Sequence, residues 1–446
     1  MFDQESATSI AAAVRARKVK AVDIAAAALE RLQRDPFNAV SAICAERALS
    51  DARVIDDRIL RGDNPGPLAG VPFGVKNLFD VKGIVTIAGS KIHADNQPAE
   101  EDAAVVKAMV NAGAIVTCAL HMDEYAFGFT NENGHYGSCL NPLDKTRVSG
   151  GSSGGSAAAV GGGLLPLSLG TDTNGSIRIP AALCGIYGLK PTVGRISLDG
   201  GVLFARTLDT AGPFARTMED VATVYRVLAG TSNSADEGPE QSFHVALADG
   251  YYQHEGDTIA LRAAVSVAEV LNTDKVLKTI TLPEPEASRA AAFAITACEG
   301  ASYHHERLKA RAMDVAPFAR DRLMAGALFP SHWYLKAQNF RDWVRHSTLM
   351  AMEKAAIDIV VAPATPCVAP RLDQEQIEVA GKPCAKRSVL GRYTQPLASL
   401  GFPILTVPIK TSGQMPVGVQ LLGRPGSEEL LLRAGIIVER AFLVQN

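Results

Sequence analysis

The chain has 446 residues, 47% of them hydrophobic and 20% charged, with a formal net charge of −3. Such a chain can bury a large core, as one big domain or two modest ones, and its balance argues against a nucleic-acid or anionic-membrane surface. Seven dispersed cysteines (Cys44, Cys118, Cys139, Cys184, Cys298, Cys367, Cys384), without CxxC pairs or metal-ligand spacing, read as reduced thiols and give no metal site.

The first ten residues, MFDQESATSI, are acidic and polar and lack the basic-then-apolar order of a signal segment, so a cytoplasmic setting is expected. Ser6 to Arg17 and Val22 to Arg34 carry alanines and leucines at helical intervals, and Asp51 to Leu60 continues the pattern until the turn-rich GDNPGP at 62–67. The texture then changes. GVPFGVKNLFDV (70–81) is short and extended, EDAAVVKAMVNAG (101–113) is an amphipathic helix closed by Gly113, and AIVTCAL (114–120) is a buried strand. Helix followed by apolar strand predicts α/β layering.

Residues 148–171 hold no charge, but Gly and Ser crowd the start and a proline interrupts the apolar half. A membrane span wants a sustained apolar run, so this segment is expected to be tightly packed core. A helical, Ala/Leu/Arg-rich stretch from about 231 to 356 reads as a cover. IDIVVAPATP (357–366), FPILTVPI (402–409) and GVQLLG (418–423) read as core strands, and SEELLLRAGIIVERAF, with Ser427 as N-cap, as a closing helix. The return of core strands predicts that the last third rejoins the first sheet. The fold class is therefore α/β: one domain over 1–446, a central mixed twisted sheet with helices on both faces. Its expected parts are a helical region (about 1–65), a core (about 66–230), the cover (about 231–356) and returning strands with a last helix (about 357–446).

Two glycine–serine turns stand out, GGSSGGS (150–156) and DTNGSIR (172–178). They can be plain tight turns. They can also bind phosphate, although neither GK[ST] nor GxGxxG spacing is present. A third reading is a catalytic floor. A serine hydroxyl needs a base, and none of His121, His135, His304 or His305 has a triad-like context. A lysine can serve once burial makes it neutral. Lys76, among Phe73, Val75, Leu78 and Phe79, is the best candidate, though spacing alone does not single it out.

The ordered set GVPFGVKNLFDVKG, MDEYAFGFTNENGHYGSCLNP, RVSGGSSGGSAAAV, LGTDTNGSIRIPAALCGIYGLKPT and MPVGVQLLGRP resembles the amidase signature family, most densely from 70 to 215. The resemblance implies a Ser–cis-Ser–Lys triad: Lys76 as base, Ser152 as bridge and Ser176 as nucleophile. It implies an oxyanion hole from the backbone N–H groups of Thr173, Asn174, Gly175 and Ser176, with Asp172 and Arg178 bracing the loop, and no cofactor or metal. Asn174 departs from the glycine that many members carry.

Family members of the glutaminase type, which serve tRNA-dependent amidotransferases, bind the substrate carboxylate with an arginine. That residue falls on Arg322. They hold the substrate ammonium with an acid a few positions before the segment that reads YTQPLASLGFP here, where this chain has Gly391 and Arg392. A cationic amine beside Arg392 is unfavourable, so the expected substrate lacks an α-amino group. FGFTNENGHYG, TDTNGSIR, ITACEGASYHHERL and PSHWYLKAQNFR resemble the carboxybiuret hydrolase branch, which implies a small carboxylated ureide substrate. Arg322, Arg392 and Ser153 are the expected substrate-binding residues. The branch further implies a small helical partner protein, similar to the one that wraps the glutaminase of the amidotransferases. It also implies a homodimeric core, without nucleic-acid or membrane binding. The alternative is the amidotransferase glutaminase itself.

Overall fold

The apolar runs between turn signals pair into one sheet of eleven strands. The computed structural model describes residues 5–231, 243–273, 276–410 and 413–443. In chain order the strands are β1 (Val40–Ile43), β2 (Pro72–Lys76), β3 (Ile115–Leu120), β4 (Leu167–Asp172), β5 (Tyr187–Lys190) and β6 (Thr210–Ala215). They continue as β7 (Val245–Ala248), β8 (Lys278–Ile280), β9 (Ile359–Pro363), β10 (Ile404–Ile409) and β11 (Val417–Gly423). Across the sheet they lie in the order β1-β3-β2-β4-β6-β5-β10-β11-β9-β7-β8. β2 runs parallel to β3 and β4, and β7 parallel to β8 and β9. The other neighbours are antiparallel, so the sheet is mixed.

Strands with helices on both faces must be apolar throughout rather than alternating. β3, β4, β6, β9 and β11 are buried at every residue. Along β9 the two-residue period sends Ile359 and Val361 into one core and Val360 and Ala362 into another, one on each face. The uncharged 148–171 segment is a buried turn, the helix Gly154–Gly161 and β4. No helix among the described residues is long and apolar enough to cross a membrane.

The last third does rejoin the sheet: β10 pairs with β5 through Ile404 and Lys190, Leu405 and Leu189, and Thr406 and Gly188. Two expectations change. The 231–356 stretch is not only helical, since it supplies β7 and β8 at the sheet's far edge. The third N-terminal helix spans Ala45–Arg61, starting earlier than the pattern suggested. The cover itself is three helices, Pro285–Arg311, Pro317–Ala327 and Ser331–Lys354. The first two approach closely because Gly326 has no side chain: a Cβ there would lie 2.0 Å from the Ala297 carbonyl oxygen.

Candidate active site

β2 ends on Lys76, and its apolar residues bury that lysine completely. Lys76 Nζ lies 2.7 Å from Ser152 Oγ and 2.8 Å from Thr171 Oγ1 at the end of neighbouring β4. Burial lowers the Lys76 pKa from 10.5 to about 7, against the opposing pull of the Asp123, Asp209 and Asp172 carboxylates. An amine poised there can accept a proton near neutrality and return it.

Ser152 follows a cis Gly151–Ser152 peptide bond, and its carbonyl accepts from the Asp123 amide at 3.2 Å. Ser153 Oγ donates to the Thr171 carbonyl at 3.1 Å and accepts from the Thr171 amide at 3.3 Å. That side chain latches the turn to β4 and is not among the residues lining the pocket.

Ser176 sits where β4 turns into the helix Arg178–Cys184. A buried Asp172–Arg178 pair builds this turn, with Nε and NH2 each 3.0 Å from a carboxylate oxygen. Burial works to raise the Asp172 pKa, but Arg178 outweighs it and holds the carboxyl below its usual range. Asp172 also accepts the amides of Gly175 (2.8 Å) and Ile177 (3.1 Å). Arg178 reaches on to the Thr394 carbonyl (3.0 Å) and Gln420 Oε1 (2.9 Å), fastening the loop to the helix Thr394–Ala398 and to β11. Only glycine suits position 175: φ is 135°, and a Cβ would lie 2.3 Å from Thr394 Oγ1. The Gly175 amide, expected in an oxyanion hole, is therefore committed to Asp172. The loop leaves the amides of Thr173, Asn174 and Ser176 as the candidate donors.

Ser176 opens on a pocket of about 440 Å³ shared with Phe127, Phe129, Asn174, Phe204 and Arg322. Arg322 stacks on Phe318, its guanidinium carbon 3.8 Å from the ring centre, and lies 5.4 Å from Phe127. Arg392 is turned elsewhere: its guanidinium pairs with Glu255 and is not among the residues lining the pocket. A Cβ at Gly391 would lie 2.4 Å from the Phe129 ring and 3.0 Å from Gln395 Oε1, so the space an acidic side chain would need is filled.

Sequence reasoning missed Thr171, Asp123 and Asp209 around Lys76, and Arg387 in the pocket lining. Asp209 accepts Thr173 Oγ1 at 2.5 Å and the amides of Phe204 and Ala205, and burial raises it to about 6. Asp123 is likewise buried and raised to about 6. It stands within the MDEYAFGF motif, and Asp209 interrupts the apolar stretch around TLDTAGPFA. Those were the available signals. Among the described residues no group of three or more His, Cys, Asp or Glu could hold a metal ion.

A family model described as amidase matches residues 23–432. AtzE, the 1-carboxybiuret hydrolase protein of Pseudomonas sp. (strain ADP), is 42% identical over 420 residues, 90% of this chain and 91% of that one. The A component of the glutamyl-tRNA(Gln) amidotransferase of Carboxydothermus hydrogenoformans is 33% identical over 476 residues, 98% of this chain and 96% of that one. A solved structure described as a vestigial protein complex revealing the origins of an s-triazine catabolic enzyme has a TM-score of 0.92 at 39% identity, covering 98% of both chains. Another, described as an amidase, has a TM-score of 0.89 at 32% identity, covering 98% of this chain and 100% of that one.

Proposed function

Because the chain belongs to the amidase signature family, whose members are amide hydrolases, we propose that its substrate is a small carboxylated ureide of the 1-carboxybiuret type. Ser176 attacks the terminal amide carbon while its proton passes through Ser152 to Lys76 Nζ. The oxyanion so formed faces the amides of Thr173, Asn174 and Ser176, whose fixed dipoles stabilise charge as it develops. The proton returns along the same path to the leaving nitrogen, ammonia departs, and water then releases the acyl group from Ser176.

The observation that carries this reading is the fully buried Lys76, 2.7 Å from Ser152 Oγ and lowered to about 7. For the substrate, the 42% identity to a carboxybiuret hydrolase protein supports the ureide. The space beside Gly391, filled by Phe129, has no room for an acid at the position where the glutaminases hold the α-ammonium, and the pocket's one acid, Glu286, shares its lining with three arginines; both argue against glutamine. The likeness to the amidotransferase glutaminases keeps glutamine as the second reading. A small helical partner, a homodimeric core and a cytoplasmic setting belong to the same proposal.

The test is ammonia release from 1-carboxybiuret, biuret and glutamine at equal concentrations. Turnover should be fastest with 1-carboxybiuret, and Ser176→Ala should lower it by about 10³-fold or more with the fold unchanged by circular dichroism. Faster release from glutamine would reverse the ranking of the two readings. Substantial turnover by the Ser176→Ala protein would remove the nucleophile assignment.

A further inference from the structure

Three arginines line the pocket with Ser176 (Arg289, Arg322 and Arg387), against one acid, Glu286. Arg289 is already engaged, donating to Gln395 Oε1 at 2.9 Å and to the Ser388 carbonyl at 2.8 Å. The other two differ. Among the described residues no acceptor takes an N–H of Arg322; its contacts are the faces of Phe318 and Phe127. Arg387 pairs with Glu132, whose Oε2 lies 3.4 Å away without making a hydrogen bond, and the buried Asp123 carboxylate attracts it from further off. Glu132 is already neutralised: the fully buried Lys386 donates to its Oε1 at 2.8 Å and is anchored by the Leu372 carbonyl at 2.8 Å.

The two under-used guanidiniums share one support. Their central carbons lie 3.8 Å and 5.0 Å from the centre of the Phe318 ring. Like charges held this close, partly buried and short of acceptors, repel one another. Burial and Arg387 lower the Arg322 pKa to about 10, only partly offset by the Asp123 carboxylate. An anion seated between them relieves that repulsion and supplies the missing acceptors, and a carboxylate with two oxygens fits two planar donor groups.

We propose that Arg387 is a second substrate-binding cation, which grips, together with Arg322, the single carboxylate at the end of the substrate remote from the scissile amide. This rests on the carboxylated-ureide reading above and adds the residue that sets its selectivity. The competing role, a structural one for Arg387 as the counter-ion of Glu132, is already filled by Lys386. Phe127, Phe129 and Phe204 supply flat apolar walls that suit a planar ureide between the arginines and Ser176.

The experiment compares 1-carboxybiuret with biuret, the same skeleton without the carboxylate, for the wild-type protein and for Arg387→Gln, Arg387→Lys and Arg322→Gln. Arg387→Gln should raise KM for 1-carboxybiuret about 10- to 100-fold, the size of one lost charge-assisted contact, with kcat nearly kept and biuret turnover unchanged. Arg387→Lys should recover part of the loss, and the melting temperature should stay near wild type. Parallel losses on both substrates would mark a structural role and overturn the proposal. So would an unchanged preference in Arg387→Gln while Arg322→Gln loses it, a result that leaves the substrate reading standing. If the wild-type protein prefers biuret or glutamine, the substrate reading falls and this inference falls with it.

Discussion

At the scale of single residues, the proposed mechanism turns on Lys76. Its amine is wholly buried, and two hydroxyls replace only part of the hydration it loses. With a pKa lowered to about 7, the neutral base is scarce below that pH and dominant above it. The expected kcat/KM therefore rises with pH through about 7. Asp123 and Asp209, each raised to about 6, take up protons just below this window, so the apparent value belongs to the cluster and not to one residue. Stability carries the same signature. The folded pKa lies below the unfolded 10.5, so between about 7 and 10.5 the unfolded chain binds more protons, and Lys76 makes the fold more stable as pH rises. Lys76→Met should abolish ammonia release at every pH and flatten that part of the stability profile. Urea unfolding at pH 7 and pH 9.5 checks it, and an unchanged slope would mean that Lys76 does not titrate there. The lysine and both serines could be singled out because three separated motifs carry them in family order, and the fold sets Lys76 against Ser152. Their neighbours could not be. Thr171 is one uncharged residue inside a buried strand, and Arg387 lies in no motif. Arg392 was misplaced because its partner, Glu255, comes from a distant loop that local sequence cannot bring to it.

At the scale of elements, the β4–turn–helix unit is held by the Asp172–Arg178 pair, and Arg178 ties it to β11 through Gln420 and to the short helix Thr394–Ala398 through the Thr394 carbonyl. Removing one partner of a buried pair leaves the other charge uncompensated and costs about 3–5 kcal/mol. Arg178→Met should destabilise the fold by that order and disorder the Ser176 turn, lowering activity beyond what the stability loss explains. Adding Asp172→Asn in the same chain should return part of the stability but not the activity, because the Gly175 and Ile177 amides lose their carboxylate. Equilibrium denaturation with parallel ammonia assays separates the two effects; full recovery of both would show that the brace has no positioning role. Elements were read best where an apolar run met clear turn residues. The expected strand at 114–120 is Ile115–Leu120, and the expected closing helix is Glu428–Leu443. β1, β7 and β8 escaped notice because they have only three or four residues each. Strands that short carry no periodicity to set against the strongly helical segments beside them.

At the scale of the molecule, the sheet order makes the last third indispensable to the middle. β10, β11 and β9 stand between β5 and the β7–β8 pair, so without them β7 and β8 have no route to the sheet and β5 becomes a bare edge. The expectation that core strands return at the end was read from three apolar runs alone. Where they insert was not readable, since strand order is set by packing between segments far apart in sequence. The topology makes a fragment of residues 1–356 incompetent. It would leave the backbone hydrogen-bonding groups of β5 unpaired, a template for aggregation. It would also strip Arg178 of its acceptors on Thr394 and Gln420. The helices Pro285–Arg311 and Ser331–Lys354 would lose support too, since Arg289 and Arg341 bond to Gln395 and to the Ser399 carbonyl. Such a fragment should be insoluble, or give a broad, non-cooperative thermal transition and no ammonia release, whereas the full chain melts cooperatively. A soluble monomeric fragment with one sharp transition would show that residues 1–356 fold on their own, and that the returning strands complete the pocket without being needed to build the sheet.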